Sequence, residues 1–314
     1  MDKVKNLAAR DAYGEVLLEL GATNNNVVVL DADLSGSTRT AYFAKSFPER
    51  FFNMGIAEQD LIGTAAGLSL TGKTVFASSF AMFAAGRPWE QIRNSVCYPN
   101  LNVKIVASHA GLTVGEDGAS HQALEDIAIM RVLPNMKVFV PSDYFETNEI
   151  IRWVASIQGP CYVRFSRAGS PVVNAENYKF NSLEYPILKQ GHDVALLASG
   201  IMVHEAMLAA KELEKENISA MVVNINMIKP MLVDKILDIA KKVKAIVTAE
   251  EHNILGGVGS AIAEVIVKNY PLPMSFVGVN DTFGESGKPE DLLIKYQLKS
   301  KDVFLAAKEV LSRK

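Results

Sequence analysis

Val103-Lys-Ile-Val-Ala-Ser108-His109-Ala-Gly111-Leu-Thr-Val-Gly115-Glu-Asp117-Gly118-Ala-Ser-His121-Gln122 starts as an apolar run of strand length. It ends in a loop holding two of the chain's five histidines and three glycines. An apolar run that empties into such a loop is how a strand of an open α/β sheet delivers a ligand crevice at its carboxyl end. Runs of the same kind occur on both sides. Strands are predicted at 27–31, 74–78, 103–108, 137–141 and 161–165, with helical periodicity near 56–70, 80–96, 122–132 and 143–157. Strands alternating with helices make a parallel layer. Pro171, Asn174, Asn177, Asn181 and Pro186 then interrupt the pattern, which reads as a linker over 171–190. A second series follows, with strands near 193–198, 220–225, 244–249 and 274–279 and helices near 202–217, 233–242, 257–268 and 301–313. The expected fold class is α/β with two domains, 1–170 and 191–314, each an open mostly parallel sheet flanked by helices.

At 314 residues the chain is twice the ~150 that serve as a guide to one domain, which agrees with two. Hydrophobic residues make up 49% and charged residues 21%, enough to bury a full core and too apolar for disorder. Lys and Arg number 32 against 35 Asp and Glu, a formal net charge of -3, so no global basic surface favours a nucleic-acid partner. Cys97 and Cys161 sit among apolar neighbours and read as reduced, buried thiols, which points to the cytoplasm. Met1-Asp-Lys-Val-Lys-Asn6 leads into an amphipathic helix with no signal-peptide core. No apolar run approaches the ~18 residues of a membrane span, so no membrane partner is expected.

Two glycine motifs mislead. Gly67-Leu-Ser-Leu-Thr-Gly72-Lys73-Thr74 fits the phosphate-loop pattern by letter, but a helix precedes it and a strand follows. That polarity is reversed for a loop that must aim a helix N-terminus at phosphates, and a helix end at Gly72 is the better reading. Gly256-Gly257-Val258-Gly259 resembles a dinucleotide fingerprint but has Ile262 where the third small residue belongs, so close chain packing is expected. A nicotinamide dehydrogenase is the weak alternative it leaves.

Glu58, Leu61, Ile62, Ala65 and Ser69 form one stripe of a helix, with the acid heading an apolar row. A carboxyl in such surroundings tends to keep its proton and can donate to a ring nitrogen; the other reading is a first-turn Glu favoured by the helix dipole. Arg10 lines up with Leu7, Gly14 and Leu17, so its guanidinium either faces an anion or snorkels to the surface. The 108–122 loop looks like a site where imidazole and carboxylate bind a polyhydroxylated substrate or shuttle protons, or else its histidines merely satisfy loop backbone. Its spacing suits no standard zinc ligand set, and no metal ligands are assigned to the chain.

With these segments in view, the chain resembles the C-terminal portion of transketolase, a thiamine diphosphate enzyme, supplied as a separate subunit. Asn53-Met-Gly-Ile56-Ala-Glu58-Gln is similar to the family segment whose glutamate contacts N1′ of the cofactor's aminopyrimidine. His109, Gly115-Glu-Asp117-Gly118 and Ser120-His121-Gln122 resemble its substrate loop. Asp31-Ala-Asp33-Leu-Ser35 resembles its first strand end, Phe80-Ala-Met-Phe83 its pyrimidine-stacking aromatics, Phe165-Ser-Arg167 its phosphate-binding pair, and Phe283-Gly-Glu-Ser-Gly-Lys288-Pro-Glu290 a stretch near its C-terminus. Gln59 and Gly86 stand where members often carry a histidine and a third aromatic, which implies a less tightly closed pyrimidine pocket.

The resemblance implies a pyrimidine-binding domain over 1–170 and a transketolase C-terminal domain over 191–314. Glu58, Phe80, Phe83, Asp33 and Ile56 are then expected to bind the cofactor. Glu58, His109 and His121 are expected to act in catalysis. Arg10, Ser37, His109, Asp117, His121 and Arg167 are expected to hold a sugar phosphate. The Gly-Asp-Gly motif that holds diphosphate and Mg2+ or Ca2+ in the family occurs nowhere in these residues. The expected partner is an N-terminal transketolase subunit carrying it, with self-dimerisation inside an α2β2 assembly. The expected reaction is two-carbon ketol transfer between sugar phosphates of the pentose phosphate pathway. The alternatives are the β subunit of a 2-oxoacid dehydrogenase, half of a 1-deoxyxylulose-5-phosphate synthase-like enzyme, and a regulatory subunit without chemistry.

Overall fold

Apolar runs such as Val27-Val-Val-Leu-Asp31 are buried at every residue, as strands covered on both faces must be. The computed structural model describes residues 5–313; Met1 to Val4, read above as leading into the first helix, lie outside the described residues. The first sheet has seven strands in the order Met227–Lys229, Lys137–Phe139, Cys161–Arg164, Val103–Ser108, Thr74–Phe80, Val27–Asp31 and Phe51–Asn53. All pairs are parallel except the first. Parallel strands end at one edge, and here Asp31, Phe80, Ser108 and Arg164 end together. The register sets Phe80 opposite Ser108 and Ala107 opposite Arg164.

Five strands are predicted in this layer, and the structure adds Phe51–Asn53 and Met227–Lys229, each too short to show alternation. The second comes from the other half of the chain and adds antiparallel at the edge, so no local pattern could announce it. The predicted 80–96 helix is divided. The strand runs on to Phe80, and Ala81–Gly86, Trp89–Gln91 and a π-helical turn Ile92–Cys97 follow, with Pro88 lacking the N–H that a continuous helix needs. Leu7 is not on the first helix with Arg10. It pairs in a short strand, Asn6–Leu7, with Ser170–Pro171, and the helix is Ala9–Thr23.

The second sheet runs Met274–Val279, Ala245–Asn253, Val194–Ala198, Ala220–Asn224 and Ile187–Lys189, the last antiparallel. Residues 171–190 are thus not all linker, since Ile187–Lys189 edges this sheet. The helix Pro289–Lys295, unpredicted, begins within the 283–290 stretch and leans on the 112–117 turn. Gly72 takes φ +85 just past the helix Glu58–Leu70, as a helix end requires. A Cβ on Gly257 would stand 2.1 Å from the Glu250 carboxylate, and one on Gly259 would stand 2.3 Å from the Phe276 ring, so close packing explains both. Cys97 and Cys161 are free and buried. Among the described residues no helix is long and apolar enough to cross a membrane.

A buried carboxylate joins the two halves. Glu146, in the helix Tyr144–Ser156, accepts from Ser142 N at 2.7 Å, Asn226 Nδ2 at 2.6 Å, Tyr178 OH at 2.9 Å and Asn224 Nδ2 at 2.8 Å. A carboxylate out of water is tolerated when its lone pairs are filled this way.

Candidate active site

Asp31 ends its strand fully buried, and its carboxylate accepts from Leu34 N at 2.6 Å, Thr38 Oγ1 at 2.7 Å and Thr40 Oγ1 at 2.8 Å. These bonds shape the turn that carries Ser37 and Arg39. Arg10 reaches that turn from the first helix, where its Nη1 donates to the Ser37 carbonyl at 3.3 Å and its buried Nε has no partner among the described residues. An unpaired guanidinium N–H facing inward is a donor awaiting an acceptor. Arg39, with φ 73, donates from Nε to Asp11 at 2.6 Å.

Opposed register puts Phe80 beside Ser108, and the next residue, His109, lies ring to ring with it at 3.7 Å and 16°. His109 is 2% exposed, has φ 59, and its Nδ1 bonds Ser108 Oγ at 2.9 Å. Burial first, and then the charges of Arg10, Arg167, His121 and Arg39, push its imidazole down to about 3. At neutral pH this ring is an uncharged acceptor. Phe83 lies 6.1 Å from Phe80 at 19° and meets His121 edge-on at 5.1 Å. The two histidines, twelve positions apart in sequence, thus share one aromatic wall. Phe80 ends its strand rather than sitting on a helix, and His109 covers it closely; Phe83 is the half-buried member of the pair.

Glu58 is 4% exposed and on the predicted stripe with Leu61, Ile62, Ala65 and Ser69, all buried. Its surroundings are not simply apolar. Arg87 Nη1 donates to its Oε1 at 2.7 Å, while the same guanidinium lies 4.1 Å from the centre of the Phe83 ring. The expectation of a carboxyl in apolar surroundings is corrected to an ion pair held against an aromatic face. Phe83 and Arg87 are four apart, the spacing at which a helix brings ring and guanidinium together, and that signal could have found Arg87. Arg39 had no such signal, because a left-handed residue in a turn has no periodicity to follow.

On the other flank, Arg167 donates to the Val114 carbonyl at 3.0 Å and lies 3.7 Å from exposed Asp117. Asp33 is exposed and accepts from Asn53 Nδ2 at 2.9 Å, and Ile56 is 77% exposed. Neither joins the histidine and aromatic cluster. Among the described residues no three His, Cys, Asp or Glu side chains gather as a metal site.

The sequence profile of the transketolase pyrimidine-binding domain matches residues 5–171, and that of the transketolase C-terminal domain matches residues 184–303. The chain belongs to the transketolase family. Transketolases depend on thiamine diphosphate, and the pyrimidine-binding domain of the family is the half in which the cluster above lies. A Methanocaldococcus jannaschii protein that carries the name of a transketolase C-terminal section is 54% identical over 94% of this chain and 93% of its own length. A 6-deoxy-6-sulfo-D-fructose transketolase subunit of Clostridium sp. (strain MSTE9) is 40% identical over 97% and 95%. A split-gene transketolase solved as an inactive β4 tetramer superposes with TM-score 0.91 at 55% identity, covering 98% of this chain and 99% of that one. Transketolase of Leishmania mexicana, at 24% identity and TM-score 0.83, shares the fold over 47% of its chain. The protein is a transketolase-type subunit of the split kind.

Proposed function

We propose that the chain, joined to an N-terminal transketolase subunit, transfers a two-carbon ketol unit between ketose and aldose phosphates of the pentose phosphate pathway. The observation that carries this reading is the wall formed by Phe83, His121, Phe80 and His109, with Glu58 joined to Phe83 through Arg87 and with Arg10, Arg39 and Arg167 near His109. A carboxyl linked by one guanidinium to an aromatic face suits a protonatable pyrimidine, and the unpaired Nε–H of Arg10 suits a sugar's anionic end. When bound, thiamine diphosphate supplies a nucleophilic carbon and an electron sink. Glu58 holds a proton at N1′ of the pyrimidine, sharing its carboxylate with Arg87, and Phe83 and Phe80 line the ring's side. Asp33 and Ile56, outside the histidine and aromatic cluster, are the remaining proposed cofactor contacts.

His109 and His121 face the substrate, where one of them takes the proton of the C3 hydroxyl as the C2–C3 bond breaks. His109 is neutral and free to accept a hydrogen bond from that hydroxyl, but its depressed proton affinity makes it a weak base. Asp117 accepts from a sugar hydroxyl, and Arg10, Ser37, His109 and Arg167 anchor the phosphate. The pyrimidine-binding domain over 1–170 and the C-terminal domain over 191–314 belong to the same proposal, with the connecting segment 171–190 giving its Ile187–Lys189 strand to the second sheet. So does the diphosphate, with Mg2+ or Ca2+, on the partner subunit within an α2β2 assembly. The relative solved as an inactive β4 tetramer supports a requirement for that partner.

Ketol transfer from xylulose 5-phosphate to ribose 5-phosphate is measured with this chain alone, with the partner alone, and with both. Activity from both together, and from neither singly, is expected. Full activity from this chain alone would end the split-site reading. Transfer from 6-deoxy-6-sulfofructose but not xylulose 5-phosphate would move the reading to the sulfosugar chemistry that one relative's name describes.

A further inference from the structure

The loop that carries His109, Asp117 and His121 leaves a strand of the first domain, but the second domain holds it. Thr113 N, buried, donates to Glu251 Oε1 at 2.6 Å across 138 positions of sequence. Gly111, at φ +79, lies so close to the same carboxylate that a Cβ there would stand 2.2 Å from Cδ and 2.6 Å from Oε2. The Glu251 carbonyl in turn accepts from Arg164 Nη2 at 3.2 Å, and Arg164 ends the strand that leads to Arg167. One residue of the second sheet therefore touches the chain entering both halves of the proposed substrate site. Gln122 closes the loop's far end, donating to the Leu112 carbonyl at 3.2 Å and to the Glu285 carbonyl at 2.9 Å.

Among the described residues the hydrogen bonds of Glu251 go to Thr113 N and Arg164, not to the side chains proposed to touch cofactor or substrate. Keeping a carboxylate there has a cost. Burial pushes its carboxyl up to about 7, against the opposing charge of Arg164 and with Asp126 adding to the rise. A buried acid that caps a turn is kept for what it holds in place, and His109, at φ 59, sits in a conformation that persists only when its surroundings impose it.

We propose that Glu251 is a positioning residue: through its carboxylate the second domain sets the backbone of the 109–122 loop and so the placement of both histidines. This rests on the ketol-transfer reading for its consequence, but not for its first test. Hydrogen exchange of the amides over 110–122 is followed by mass spectrometry in the full chain for wild type, Glu251→Ala and Glu251→Gln. Loss of a buried charged acceptor should speed exchange in Glu251→Ala by about tenfold to a hundredfold there, with distant strands unchanged. Glu251→Gln keeps an oxygen for Thr113 N and should stay within a few-fold. Circular dichroism and the exchange of Val194–Ala198 report whether each variant is folded; Glu251→Asp, which keeps the charge but withdraws it by one methylene, replaces Glu251→Ala if that variant does not fold.

In the two-subunit enzyme, Glu251→Ala should lower kcat by a similar factor, equally for phosphorylated and unphosphorylated sugars, with Glu251→Gln restoring most of it. Wild-type exchange over 110–122 in a folded Glu251→Ala chain would overturn the proposal. So would faster exchange with turnover unchanged. A wild-type complex with no ketol transfer would instead defeat the functional reading, while the exchange result still decides whether Glu251 holds the loop.

Discussion

Inorganic phosphate added to the isolated chain should raise the proton affinity of His109. The fall of its imidazole from 6.5 to about 3 corresponds to roughly 5 kcal/mol against the charged form. Burial is the largest cause and phosphate does not remove it. The remaining push comes from Arg10, Arg167, His121 and Arg39 in that order, and an anion seated among the three arginines would offset their share. The expected rise is on the order of one pH unit, still below the ordinary value. The stability linkage has a definite sign. A depressed imidazole favours the neutral form in the folded state, so its contribution is present above pH 6.5 and is lost as pH falls toward 3.

The assay is a proton–nitrogen correlation titration of histidine-labelled chain, with and without phosphate, His109 being assigned from His109→Asn. Arg10→Ala and Arg167→Ala should each lift the midpoint without phosphate and shrink its response to phosphate. A His109 midpoint near 6.5, or one that moves equally with chloride at the same ionic strength, would show that the arginines do not form an anion site around this ring.

Glu58→Gln should abolish turnover of the two-subunit enzyme while leaving the fold intact, since an amide cannot share a proton with N1′; near wild-type rates would remove Glu58 from the chemistry. Arg10→Ala and Arg167→Ala should raise KM for phosphorylated sugars by about tenfold or more, with little effect on unphosphorylated analogues. Equal effects on both would leave these arginines a packing role only. Glu146→Ala strands the Asn224, Asn226 and Ser142 donors between the two domains and should cost about 3–5 kcal/mol in urea unfolding, whereas a loss under 1 kcal/mol would mean that water replaces the carboxylate.

Much of the site was legible before the fold was. The helical spacing of Glu58, Leu61, Ile62, Ala65 and Ser69 predicts which face is buried, and all five are buried. The runs at 27–31 and 103–108 are strands to the residue, because strands covered on both faces leave a near-continuous hydrophobic signature, broken in the second by Lys104, whose buried Nζ donates to the Ile157 and Gly159 carbonyls. The boundary at 80 was misplaced by a strand that runs two residues further, and Pro88 divided a segment whose periodicity alone looked continuous.

What the sequence determined by itself is what local periodicity and motif order can encode: an α/β chain, its buried faces, and a histidine-bearing loop at a strand end. Only the tertiary structure decided who meets whom. Sheet register puts Phe80 against His109, a left-handed turn aims Arg39, an ion pair with Arg87 occupies Glu58, and Glu251 grips a loop 138 positions away. Such contacts are made between surfaces that no period links, and their geometry is set by packing two sheets together rather than by any stretch of chain.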